Sequence, residues 1–299
     1  MSQPQSSSSA LAYAEEHADH HHHDVSHEHH HGDGPVPLYD RGLAFDVGTL
    51  LGRRQMLGLV AAAGLIPIAG RLGSLSASAA PMSPRAEALA AACTDIPEET
   101  AGPFPADGSN GPNVLDDVGI VRRGVRSSFG GLHGTAEGIQ LQIKLTVLDL
   151  AHGCRPYEGA AVYIWHCDRD GLYSLYSGGA TDQNYLRGVQ EADASGQVTF
   201  KSIFPGCYAG RWPHIHFEVY PDVDEATSFR NKIATSQLAL PKKVCQKVYA
   251  TDGYEQSIVN LSHVSLKGDM VFQDGWKDEM AKMTGNVTKG YAASLKLAV

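Results

Sequence analysis

His214 and His216 stand one residue apart in the stretch RWPHIHFEVY, residues 211–220. In an extended strand, side chains two apart project from one face. The two imidazoles therefore share a side, with Cα atoms about 6.6 Å apart, within reach of a single ion. Ile215, Phe217 and Val219 take the opposite face and supply the apolar side that packs into a core. By itself the pair reads either as two metal ligands or as the polar face of a strand. Its neighbours add oxygen donors. Tyr208 follows a Pro205-Gly206 turn, Tyr173 follows an Asp170-Gly171 turn, and Arg211 lies between Tyr208 and His214. Each tyrosine taken singly reads equally as a core aromatic with a satisfied hydroxyl. Two phenols beside two imidazoles suit a hard, highly charged cation such as ferric iron, which favours anionic oxygen and can strip the proton from a phenol of ordinary pKa about 10. Zinc more often recruits cysteine, histidine or carboxylate.

Those residues need a rigid frame, and the surrounding sequence has the grammar of β-structure. IQLQIKLTV places Ile139, Leu141, Ile143, Leu145 and Val147 on one face of a half-buried strand, and residues 159–167, 196–203 and 214–220 read as three more. Asp170-Gly171, Ser195-Gly196 and Pro205-Gly206 mark turns. Helix is suggested only around 228–237 and 278–283. The pattern predicts an all-β fold, an antiparallel β-sandwich with short helices, wrapped by an irregular, Pro- and Gly-rich N-terminal arm at 94–137.

The stretches GAAVYIWHCDRDGLYS (159–174) and DASGQVTFKSIFPGCYAGRWPHIHF (193–217), with EETAGPFP at 98–105, resemble the intradiol ring-cleavage dioxygenases, the group of catechol 1,2-dioxygenase and protocatechuate 3,4-dioxygenase. The likeness runs from about residue 94 to 275 and is nearest the exported, single-domain bacterial branch. It implies one non-haem Fe(III) per domain, held by Tyr173, Tyr208, His214 and His216, with Tyr176 a weaker competitor for the place of Tyr173. It also implies that Tyr208 leaves the metal and acts as a base, and that Arg211 stabilises anionic charge on the substrate ring. Gln237, in TSQLAL, matches a supporting glutamine, and Gly102, Pro103 and Phe104 match a pocket-lining segment. The implied reaction takes a catechol and O2 to a cis,cis-muconate, both oxygen atoms entering the product. Only five residues separate Tyr208 from His214, fewer than in cytoplasmic members, which implies a more open pocket. An inactive β-sandwich binding module, for carbohydrate or surface adhesion, is the alternative. The presence of all four ligands and the arginine weighs against it.

The chain has 299 residues and a formal charge of −9, without the basic face that a nucleic-acid partner requires. Nine of its 15 histidines fall in residues 1–52, which read as a disordered, His-rich extension. Arg53 and Arg54 then precede an apolar run, Met56 to Ala69, and Ala77-Ser78-Ala79 supplies small residues for cleavage. Residues 53–80 thus have the pattern of a twin-arginine signal, engaging the twin-arginine translocase. The run is too short for the roughly 20 residues of a membrane span, so the mature chain is expected near Pro81 without one. The domain follows at 94–299, destined for the cell envelope or the outside. All five cysteines lie beyond the signal, where one or two disulfides are expected.

Overall fold

A computed structural model describes residues 93–299; the His-rich extension and the twin-arginine segment lie outside the described residues. Nine strands form two sheets. They are β1 (Gln140–Asp149), β2 (Arg155–Pro156), β3 (Ala161–Trp165), β4 (Arg187–Glu191), β5 (Gln197–Ile203), β6 (His214–Tyr220), β7 (Ala234–Ala239), β8 (Lys282–Asn286) and β9 (Gly290–Ala298). One sheet runs β2-β1-β9-β8 with β5 also on β1, and the other runs β4-β3-β6-β7. All ladders are antiparallel except β1 with β9. The β-sandwich expected from the sequence is thus observed, with one parallel pair in it.

Alternation explains the packing. Leu141, Ile143, Leu145 and Val147 of β1 are buried against Val162, Ile164, Ile215, Phe217 and Val219 of the facing sheet. At about 25 cal/mol per Å2, each such side chain contributes about 1.5–3 kcal/mol of transfer free energy. The four-stranded sheet is covered on its other face as well. There Ala161, Tyr163, Trp165 and Tyr220 join Ala106, Val114, Leu115 and Ile120 of the N-terminal arm in a second cluster. Burial on both faces is why every residue of β6 is buried, histidines included.

The two helical expectations fail. Residues 228–237 form a short 3-10 turn, Phe229–Asn231, and then β7. Pairing of Ala234–Ala239 with β6 overrides the local preference. Residues 278–283 are drawn out by backbone hydrogen bonds between Ala239 and both Glu279 and Ala281, and β8 begins at Lys282. The α-helices among the described residues lie elsewhere: α1 (Lys242–Tyr249), which buries Cys245, Val248 and Tyr249 along one stripe, and α2 (Glu255–Ser262). Among the described residues no helix is long and apolar enough to cross a membrane. Cys93 and Cys154 form a disulfide, and Cys167, Cys207 and Cys245 are free and buried. The bridge closes a separation of 61 residues, worth about 4 kcal/mol in the chain-entropy account.

Glu279, fully buried beside β7, accepts a hydrogen bond from Ser236 Oγ at 3.4 Å. Burial, and then the nearness of Glu99 and Asp274, pushes its pKa up to about 9. A carboxyl whose folded value exceeds its unfolded one stabilises fully below the unfolded pKa and loses that contribution as pH climbs toward the folded value. Glu279→Gln is therefore expected to gain on wild type by about 2 kcal/mol or more between pH 5 and pH 8, measured by urea unfolding at both.

Candidate functional site

The antiparallel registers place Arg187, Trp165, His216 and Gln237 side by side in one row across β4, β3, β6 and β7. Trp165 stacks on the His216 imidazole, ring centroids 4.8 Å apart and nearly parallel, which fixes the ring plane. His214 sits one step along β6 on the same face. Its Nδ1 is 2.5 Å from the Trp212 carbonyl oxygen, to which it donates, so its Nε2 lone pair points into the site.

Around that lone pair the other candidate donors converge. His216 Nε2 is 3.0 Å from His214 Nε2, Tyr208 Oη 3.3 Å and Tyr173 Oη 3.4 Å. Donors binding one ion at about 2.1 Å stand about 3.0–3.4 Å apart, so the set fits a single transition-metal ion. Among the described residues no group of three or more His, Cys, Asp or Glu side chains could hold a metal; this donor set is half phenolic. Burial, then the Arg211 charge, pushes the His214 pKa down to about 3, and burial with His214 pushes His216 well down. Both imidazoles are thus neutral and available as ligands. Burial drives the Tyr173 phenol well above its ordinary value, so a cation is needed to ionise it.

The tyrosines come from turns. Gly171, at φ +86°, lets the Tyr173 turn lie against Tyr208, since a Cβ there would stand 3.0 Å from the Tyr208 Cβ. At Gly206 a Cβ would meet the Arg169 carbonyl oxygen at 2.5 Å. These are the glycines of the two turns ahead of the tyrosines. Four hydrogen bonds from α1, α2 and the turn between them hold residues 204–207. Tyr254 Oη donates to Phe204 O, Tyr249 Oη to Pro205 O and Asn260 Nδ2 to Cys207 O, while Cys207 N donates to Ser257 Oγ. The helices overlooked in the sequence therefore anchor the approach to Tyr208.

Arg211 is buried. Its Nε donates to Asp269 Oδ2 at 3.0 Å and its Nη2 to Gln237 Oε1 at 2.7 Å. Gln237 Nε2 in turn donates to the Thr100 carbonyl, tying the site to the arm. Asp269 also accepts from Trp212 N, Val271 N and Phe272 N. Burial raises its pKa, but Arg211 and the Trp212 amide more than offset that and leave it below the ordinary value. Sequence reasoning missed Asp269, which stands 58 positions from its partner in an unremarkable turn. Gly102 and Pro103 lie in the arm, where Asn110 Nδ2 holds the Pro103 carbonyl at 2.6 Å. The arm meets the donor set itself through Phe104, stacked on Tyr173 at 4.7 Å. Tyr176 is excluded from the donor set: its hydroxyl bonds Ala106 N and Asn110.

Asp269→Asn leaves a buried guanidinium without its counter-charge. The expected loss is about 3 kcal/mol, read as a lowered midpoint in chemical denaturation.

A family model described as Dioxygenase matches residues 126–222, a span containing all four donors and Arg211. Hydroxyquinol 1,2-dioxygenase of Corynebacterium glutamicum is 31% identical over 127 residues, 36% of this chain and 39% of that protein. The chain thus aligns with about two-fifths of the length of this curated relative. An intradiol ring-cleavage dioxygenase from Tetranychus urticae shares the fold, with a TM-score of 0.52 and 24% identity over 69% of this chain and 94% of that one. The sheets, the turns and the family match coincide on one segment: residues 126–222 are similar to the dioxygenase family, and the fold is shared with an intradiol ring-cleavage enzyme.

Proposed function

We propose that this protein is an exported, non-haem Fe(III) intradiol dioxygenase that opens a catechol-type ring between its two hydroxyls with O2, giving a cis,cis-muconate-type product. The observation that carries the reading is the convergence of two neutral imidazoles and two phenols, all within 3.4 Å of His214 Nε2, on a fold of that class. Tyr173, Tyr208, His214 and His216 would hold the ion. Bound iron would supply the Lewis acidity that lets the catechol hydroxyls ionise, and the anionic ring is electron-rich enough to react with O2.

The protein's own residues have separate tasks. Tyr208 is only partly buried whereas Tyr173 is buried, so Tyr208 is the phenol that meets entering substrate, and as the phenolate that a bound cation would stabilise, its Oη would take the proton of a catechol hydroxyl. Arg211, immobilised by Asp269 and Gln237, offers a pre-oriented positive charge for the anion that develops on the ring oxygens. Phe104 and the arm cover Tyr173 and keep water from that side. Hydroxyquinol, the substrate in the name of the Corynebacterium relative, is a candidate beside catechol itself. Export is supported by the twin-arginine pattern at 53–80 and by the Cys93–Cys154 disulfide, a bond that persists in oxidising compartments.

Oxygen uptake and product ultraviolet absorption, followed with catechol, hydroxyquinol and protocatechuate, test the reading alongside iron analysis. His214→Ala is expected to lose iron and at least about 100-fold in activity, and Tyr208→Phe to lose at least about 100-fold in kcat/KM. Equal turnover by wild type and both variants would remove the mechanism.

A further inference from the structure

We infer that Arg187 is a positioning residue for this site, a buried fork that locks the Tyr173 turn to the arm at residues 102–107. The inference rests on the dioxygenase reading for its kinetic consequence and on geometry for the lock itself. Arg187 occupies the same transverse row as Trp165 and His216 and is 1% exposed. On one side its Nε donates to Ser174 Oγ at 3.0 Å and its Nη2 to the Ser174 carbonyl at 2.9 Å. Ser174 immediately follows the candidate ligand Tyr173. On the other side Nη1 donates to the Pro105 carbonyl at 2.9 Å and to Tyr163 Oη at 3.1 Å, and Tyr163 Oη itself donates to Pro105 O at 2.7 Å. Pro105 immediately follows Phe104, whose ring lies on Tyr173. One guanidinium thus spans both partners of that ring contact.

These hydrogen-bond partners are all neutral. A fully buried charge bonded only to neutral acceptors is a costly way to fill space, and an apolar side chain of similar volume would pack at least as favourably. Its use is geometric: only the planar, five-donor fork of arginine reaches two carbonyls and two hydroxyls in fixed directions.

The backbone gives a second, independent indication. Four non-glycine residues among those described adopt positive φ: Ala106 (53°), Cys154 (62°), Leu175 (72°) and Leu186 (59°). Three of the four adjoin this junction, one beside Pro105, one beside Ser174 and one beside Arg187 itself. A left-handed L-residue costs about 1–2 kcal/mol and persists only where its surroundings over-determine it. Here the fork supplies the determination, with help from Tyr176 Oη, which accepts from Ala106 N at 2.8 Å. Without it, the arm and the Tyr173 turn relax toward ordinary backbone and Phe104 loses its seat. His214, His216 and Tyr208 are held by other elements and stay in place.

The test is amide hydrogen exchange on metal-free protein together with steady-state kinetics on iron-loaded protein, for wild type, Arg187→Gln and Arg187→Lys. In both variants, exchange at Ala106 and Tyr173 is expected to quicken at least about tenfold, while Ile143 and Leu145 in β1 are unchanged. KM for catechol is expected to rise about tenfold, with kcat within about threefold of wild type. Lysine keeps the charge but lacks the fork, so rescue by Arg187→Lys would overturn the inference. Wild-type exchange and KM in a folded Arg187→Gln would overturn it too. Should Arg187→Gln fail to fold, Tyr163→Phe removes one donor to Pro105 O and is expected to show the same local pattern, smaller in size; unchanged exchange there would also overturn it. A wild type inactive on every catechol sinks the proposed function and leaves hydrogen exchange to decide the lock.

Discussion

Strand register on the four-stranded sheet is the constraint on which the site depends. Antiparallel pairing brings Trp165, His216 and Gln237 abreast, and a slip of one residue would turn every one of these side chains into the opposite core. Register is held because the alternate positions, Ile164, Ile215, Phe217 and Leu238, are committed to the apolar interior between the sheets. The apolar face of β6 thus positions the polar one, and the hydrophobic effect, which has no direction of its own, delivers imidazole nitrogens to a defined place.

Several of the charged groups buried under the arm are paired. Glu218, on the same face of β6 as the histidines, accepts from Lys232 Nζ at 2.5 Å and from Tyr220 Oη at 2.8 Å. Arg211 has Asp269, and Gln237 bridges Arg211 to the Thr100 carbonyl. An unpaired charge at this depth would cost several kcal/mol. The arm is therefore more than a cover: its carbonyls at Thr100 and Pro105 are acceptors for site side chains, and its irregular backbone is what leaves them free to serve.

Legibility in the sequence followed the range of each interaction. His214 and His216 could be read because their relation is local, two residues along a strand whose other face is visibly apolar. Tyr173 and Tyr208 were legible through the glycine turns ahead of them and through family likeness. Asp269 and Arg187 carried no local signal, since their roles consist of contacts with residues 58 and 82 positions away. Residues 228–237 misled for the same reason: local preference suggested helix, and pairing with β6 made most of the stretch a strand. The family likeness runs to about residue 275, and beyond it β9, at 290–298, pairs with the inner length of β1 and closes the first sheet.

The division of donors between strand and turn has a mechanical consequence. A strand bonded on both sides, as β6 is by β3 and β7, cannot shift its backbone without breaking two ladders, so the imidazoles stand on the more rigid half of the frame. Turn-borne phenols differ in how they are restrained. Tyr173 is stacked by Phe104 and its turn is held through Ser174, whereas the backbone ahead of Tyr208 is held by α2 and its half-buried ring meets Tyr173 and His214 edge-on. Five residues link it to His214, and within them Arg211 and Trp212 are both pinned by Asp269. Its backbone is therefore fixed at both ends, and it is the least buried of the four donors. Of the four donors, the least buried is the one to which the proposed function gives the meeting with substrate.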